Sequence, residues 1–185
     1  MNIKQSIAIV AFVFGGMLSL QAQTETVPSV TVKNLNGESV DFKNCIEPGK
    51  ITIISFWATW CAPCIKELQA IDSKYAEWQE KYNVKLVAVT VDDSRNVKKV
   101  KPKVLGEGWT YEIILDENMD LARAMNMNNP PMTFIVNAEG KIVYSHQGYT
   151  PGAEDELEKD LAALKKESNK IHKKRSFKLK LLFCL

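Results

Sequence analysis

Apolar residues along this chain fall alternately into short continuous runs and helical stripes. Val30 to Val32 and Val40 to Phe42 flank Asn34-Leu35-Asn36-Gly37, which predicts two short strands joined by a turn. Ile51 to Trp57 is a β-branched, largely apolar run without alternation, as in a central strand covered on both faces. From Cys61 to Tyr82 the positions Cys64, Leu68, Ile71, Tyr75, Trp78 and Tyr82 recur at three- and four-residue steps, one face of a helix. Val84 to Val91 is a second continuous strand, closed by Asp92-Asp93-Ser94, which offers an N-cap to the segment that follows. Strand, helix, strand in this order predicts a right-handed parallel crossover.

The second half is patterned more weakly. Asn96 to Leu105 reads as helical with Pro102 limiting it, Ile113 to Leu115 as a strand, and Met119 to Met125 as a short helix. Thr133 to Val136 and Ile142 to Ser145 flank Asn137-Ala138-Glu139-Gly140, a hairpin forming a second, antiparallel sheet region, with Gly140 at a positive-φ turn position. A closing helix runs from about Ala153 to Glu167, with Leu157, Leu161 and Leu164 on one face. Residues 168–185, with Lys173, Lys174, Arg175, Lys178 and Lys180 and no recognisable cap, read as a disordered, solvated basic tail; a role at an anionic membrane surface is the alternative.

The 185 residues, 45% hydrophobic and 25% charged, suffice for one soluble globular core, and a net charge of +2 gives no reason to expect a nucleic-acid surface. At the N-terminus, Lys4 precedes an apolar run from Ile7 to Leu20 and then Gln21-Ala22, so residues 1–22 read as a signal peptide and the expected location is periplasmic or extracytoplasmic. The run is shorter than the roughly 20 residues that cross a bilayer and holds Gly15 and Gly16, so no stable membrane insertion is expected after processing, a retained N-terminal anchor being the alternative. The predicted domain spans residues 27–167.

In an oxidising compartment the four cysteines, Cys45, Cys61, Cys64 and Cys184, are too few to be a disulfide scaffold. Cys61 and Cys64 in Trp60-Cys61-Ala62-Pro63-Cys64 therefore need their own explanation. Two residues apart at the start of a helix, they can close a small disulfide ring, and the helix N-terminus favours a thiolate. Cys61, at the helix mouth, is expected to be exposed and to attack; Cys64, one turn in, is expected to face the core and resolve. Zinc would need further ligands, yet His146, His172, Cys45 and Cys184 show no paired spacing, and haem attachment would need a histidine where Ile65 stands. No metal and no cofactor are expected. Cys45 reads as a small core residue and Cys184 as an incidental thiol, with a bond between them left open.

The segment ITIISFWATWCAPCIKE, Ile51 to Glu67, together with Pro131-Met132-Thr133-Phe134-Ile135-Val136-Asn137 and Gly140, resembles the thioredoxin-like family of the TlpA/ResA type, over roughly Val27 to Lys166. The resemblance implies an α/β, three-layer thioredoxin-like fold: a central mixed sheet flanked by helices, with an added N-terminal β-hairpin. It also implies an extracytoplasmic disulfide reductase acting on protein disulfides, in a role such as cytochrome c maturation, and recharged by a membrane thiol-disulfide electron donor; a monomer is expected. The alternatives are an oxidase or isomerase using the same thiols, a redox-inert binding module, and a copper carrier, which would use a three-residue gap. Peroxide chemistry would need a different cysteine setting.

By the same resemblance Pro131 is the cis-proline that faces the cysteine pair, where the sequence alone allows a plain loop proline. Glu67, which spacing alone would make a solvated helix residue, becomes the carboxylate that takes the proton of Cys64. Ser55 departs from thioredoxin proper, which has a buried aspartate there, and Gln69 from relatives with a proline. Pro130 lacks the N–H commonly used to hold a substrate strand. Trp60, Ala62, Pro63 and Pro130 are the expected substrate-facing residues, with Trp57 in the core. With no histidine between the cysteines, a potential nearer about −270 mV than about −120 mV is expected.

Overall fold

A computed structural model describes residues 25–183, so the signal-peptide reading of residues 1–22 and the thiol of Cys184 lie outside the described residues. In chain order the elements are β1 (Thr31–Asn34), β2 (Ser39–Asp41), β3 (Ile51–Trp57), α1 (Ala62–Tyr82), β4 (Val84–Thr90), α2 (Val100–Glu107), β5 (Glu112–Leu115), α3 (Asp120–Ala124), β6 (Met132–Val136), β7 (Ile142–Gln147) and α4 (Ala153–Phe183). The strands form one seven-stranded mixed sheet in the order β2-β1-β5-β4-β3-β6-β7. Strands β3, β4 and β5 are parallel, whereas β1 joins β5 and β6 joins β3 antiparallel. The hairpin β6–β7 is thus not a second region of sheet: β6 pairs with β3 along Thr52–Phe56 and continues the same surface. The result is a mixed α/β fold, one central sheet packed with helices and extended at its edge by an N-terminal hairpin, as the resemblance implies.

Every residue of β3 is buried, as its unbroken run requires of a strand in mid-sheet. Ser55 reaches Glu67 of α1 from one face, which sets the orientation of the alternating side chains; the opposite face carries Ile54 and Phe56, the latter edge-on to Phe134 of β6 at 5.9 Å. Helix α1 buries Cys64, Leu68, Ile71, Tyr75, Trp78 and Tyr82, the stripe read from the sequence, and Glu67 with them. Helix α4 lies beside α1, burying Leu157 and Leu161, and the Tyr82 hydroxyl donates to Glu158 at 3.0 Å.

Two local expectations change. Pro102 does not limit a helix: a 3-10 turn at Val97–Lys99 leads into α2, and Pro102 sits in its first turn, where the missing N–H has no intrahelical partner to lose. The helix ends instead at Gly108, with φ 74°. At the C-terminus, α4 continues past Glu167 to Phe183, replacing the disordered tail. No glycine or proline follows Gly152, and the segment is rich in Lys, Arg, Leu and Ile, so nothing in it stops a helix already nucleated on α1.

Candidate active site

The cysteine pair sits where β3 hands over to α1. After Trp57 the chain turns through Ala58-Thr59-Trp60, with the Cys61 N–H donating to the Ala58 carbonyl at 3.0 Å. Cys61 is the N-cap residue of α1, in extended conformation, and Pro63 occupies the first turn. Cys61 and Cys64 are joined by a disulfide, with their Cα atoms 5.3 Å apart. Both residues are largely covered in this oxidised form, a tighter setting than the exposed Cys61 expected from sequence. The residual exposure still separates them: 5% for Cys61 and none for Cys64, so any approach from solvent meets Cys61. Ala62 and Pro63 are exposed, and Trp60 beside them is 63% exposed, while Trp57 is fully buried against Trp109 at 5.3 Å.

Glu67 lies three residues beyond Cys64, on the same side of α1. It is not solvated. Its carboxylate is buried and accepts hydrogen bonds from the Thr133 hydroxyl at 2.8 Å and the Ser55 hydroxyl at 3.2 Å. Thr133 and Ser55 face each other across the β3–β6 pairing, so three elements converge on one carboxyl group. Burial pushes the pKa of Glu67 up to about 7, with the two hydroxyls opposing the shift. Glu67 also borders a cleft of about 500 Å³, shared with Thr133, Tyr144, His146 and Tyr149.

The Pro130–Pro131 peptide bond is cis. Met132 pairs with Phe56, so Pro131 stands at the end of the sheet from which β3 enters the cysteine turn; its carbonyl accepts from the Gly148 N–H at 2.9 Å. Pro131 is buried and Pro130 half-buried.

Sequence reasoning missed the residue that fixes the turn. Asp93, not Asp92, caps the segment after β4, accepting from the backbone N–H of Asn96 at 3.0 Å and of Arg95 at 3.1 Å. Asp92 points inward, fully buried, and accepts from the Thr59 N–H at 2.7 Å, the Thr59 hydroxyl at 2.7 Å and the Thr90 hydroxyl at 2.6 Å. The turn that presents Trp60 and Cys61 is thereby tied to the end of β4. Asp92→Ala would leave these donors without partners in the interior and is expected to cost about 2–4 kcal/mol in denaturant unfolding. A loss below about 0.5 kcal/mol would show that water replaces the carboxylate. The signals for these partners were polar residues inside apolar strands: Ser55, Thr90 and Thr133.

Cys45 is a free, buried thiol among the described residues, its pKa pushed up to about 12 by burial and the nearby Glu112. It is held protonated and belongs to the core. His146 stacks on Tyr144, and among the described residues no group of three or more His, Cys, Asp or Glu side chains is placed to hold a metal ion.

A family model described as the AhpC/TSA family matches residues 24–145. The thiol-disulfide oxidoreductase ResA of Bacillus subtilis is 29% identical over 131 residues, covering 71% of this chain and 70% of that protein. The sporulation thiol-disulfide oxidoreductase A of the same organism is 31% identical over 131 residues, covering 70% and 77%. Among solved structures, an uncharacterized thioredoxin-like protein from Porphyromonas gingivalis is 49% identical, with a TM-score of 0.69, over 76% of this chain and 92% of that one.

Proposed function

The chain belongs to the AhpC/TSA family and is a thiol-disulfide oxidoreductase, and from that premise we propose that its Cys61–Cys64 pair reduces protein disulfides in the cell envelope. The observation that carries this reading is a disulfide closed at the N-terminus of α1 with a buried carboxylate one turn behind it. In the reduced protein the Cys61 thiolate, favoured by the free amides of the helix end, attacks a substrate disulfide and releases one substrate thiolate, which takes a proton from water. A mixed disulfide between Cys61 and the substrate remains. Glu67 then accepts the Cys64 proton, and the Cys64 thiolate displaces the second substrate sulfur as the Cys61–Cys64 bond forms. Two electrons pass to the substrate, and no cofactor takes part. The cleft beside Glu67 gives its proton a way out to solvent while substrate covers the disulfide.

Trp60, Ala62 and Pro63 supply the exposed apolar rim on which a polypeptide docks, with Pro131 and Pro130 opposite. Pro130 has no N–H, so a bound substrate strand forgoes that hydrogen bond. Residues 1–22 direct export, residues 27–167 are the catalytic domain, the protein works as a monomer, and a membrane thiol-disulfide donor restores the dithiol. Cytochrome c maturation is one envelope process that such a reductase serves.

The direction of electron flow is set by how well the reduced form is stabilised, and no histidine stands between the cysteines to hold the Cys61 thiolate. A reduction potential near about −270 mV is therefore expected on equilibration with defined thiol-disulfide mixtures. A value above about −180 mV would make the protein an oxidant or isomerase instead.

A further inference from the structure

The small net charge of the chain conceals a strong polarity. Of 24 Lys and Arg residues, eight lie between Lys165 and Leu185, with one of the 22 Asp and Glu residues; this segment carries +7 and the rest of the chain −5. Helix α4 gives residues 165–183 a shape and a direction. The first turns of α4 are acidic and rest on α1, where Asp155 and Glu158 meet Lys74 and Glu158 meets Lys81. The same helix carries the basic residues onward, with Lys173, Lys174 and Arg175 exposed. Arg175 borders a cleft with Pro48, Gly49, Ala138 and Gly140, residues that lie just before β3 and just after β6. That is the pole opposite Cys61, which follows the other end of β3, and a seven-residue strand separates the two by about 20 Å.

We propose that the basic half of α4 is a peripheral membrane contact that takes anionic phospholipid headgroups and leaves the disulfide pole uncovered by lipid, open to substrate and to the exposed part of a membrane donor. One observation favours a lipid surface over another polyanion, and two more bear on how the chain would lie on it. Residues 177–183 interleave Lys178 and Lys180 with Phe177, Leu179, Leu181, Leu182 and Phe183, a composition that suits the boundary between headgroup and acyl chain, where apolar side chains enter and ammonium groups stay at the phosphates. No helix among the described residues, α4 included, is long and apolar enough to cross a membrane, and the proposed contact is a surface one. The remainder of the chain is net negative and is repelled by an anionic surface, which leaves only the basic pole to face it. The contact is independent of the direction in which electrons pass through the disulfide.

The test is cosedimentation of the whole chain with vesicles of phosphatidylcholine and phosphatidylglycerol, compared with phosphatidylcholine alone. Lys170→Gln, Lys173→Gln, Lys174→Gln and Arg175→Gln together are expected to lower partitioning onto the anionic vesicles by about a hundredfold at about 0.1 M salt, the difference vanishing at about 1 M. Any affinity common to both chains belongs to the rest of the molecule, residues 1–22 included. Lys170→Arg, Lys173→Arg and Lys174→Arg together should keep binding, which separates charge from a damaged helix, and insulin reduction in solution should be equal in all three chains. Trp60 is the one exposed tryptophan, Trp57, Trp78 and Trp109 being buried, so acrylamide quenching reports on it and should be undiminished on vesicles. Equal binding by the wild-type and Gln chains, a preference for duplex DNA over vesicles at the same salt, or protection of Trp60 on the vesicle would each overturn the proposal.

Discussion

Insulin reduction by Cys61→Ser is expected to fall to the background of uncatalysed exchange, a loss of about a thousandfold or more, while Cys64→Ser should still attack but fail to finish. The two variants are not equivalent, because only Cys61 retains any contact with solvent and Cys64 has none. In Cys64→Ser the mixed disulfide has no second thiol to resolve it, so substrates should accumulate covalently on Cys61 and be identified by mass spectrometry. Adducts on Cys64 in the Cys61→Ser variant, or full insulin reduction by it, would reverse the assignment of roles. The expected cost to folding of the reduced form is small in both cases, since serine is close to isosteric with cysteine. Thermal unfolding under reducing conditions should therefore separate loss of chemistry from loss of structure.

Glu67→Gln is expected to slow resolution of the mixed disulfide by about a hundredfold and to remove the rise in rate expected of the wild-type protein through about pH 7. The same substitution should stabilise the protein at alkaline pH. In the native state the pKa of Glu67 is about 7 against an ordinary 4.5, so the folded protein holds this proton more tightly than the unfolded chain does. The stabilising contribution is complete below about pH 4.5 and is lost as pH rises through about 7, where an ionised carboxylate must be kept among buried groups. The gap of between two and three pKa units corresponds to about 3 kcal/mol. Denaturant titrations of wild type and Glu67→Gln should thus agree more closely at acid pH and diverge in favour of the variant at about pH 9. The amide remains within reach of Thr133 and Ser55, so a large loss of stability at every pH would mean that the carboxylate is structural. An unchanged pH–rate profile would remove Glu67 from the proton transfer.

Carboxylates at two sites show how far the linear pattern reaches. Glu67 follows Lys66 on a helix, and its spacing alone places it no more firmly than any surface acid; resemblance, not periodicity, singled it out. Its burial depends on Thr133, 66 residues away, and on Ser55, 12 residues away. Asp92 and Asp93 are adjacent and chemically identical, and one caps a turn while the other braces the cysteine loop. No local rule distinguishes them. The choice is made by Thr59, whose N–H and hydroxyl arrive from a turn 33 residues earlier. Pro102 and the length of α4 were misjudged for a different reason: both are questions of where a helix starts or stops, where terminal hydrogen bonds and prior nucleation outweigh residue preference.

By itself the sequence determined the central strands, the helix that follows the cysteines and the thiol pair at its mouth, because continuous apolar runs, a helical stripe and a two-residue gap are all written within a few turns of chain. It also carried the charge imbalance of the C-terminal segment, which counting alone reveals. Only the tertiary structure decided that the two hairpins extend a single sheet, that Cys61 keeps the last contact with solvent, and that hydroxyls from β3 and β6 enclose Glu67. It alone placed the basic segment at the pole away from the disulfide. These are relations between residues far apart in the chain, fixed by which strand pairs with which, and hydrophobic period carries no record of them.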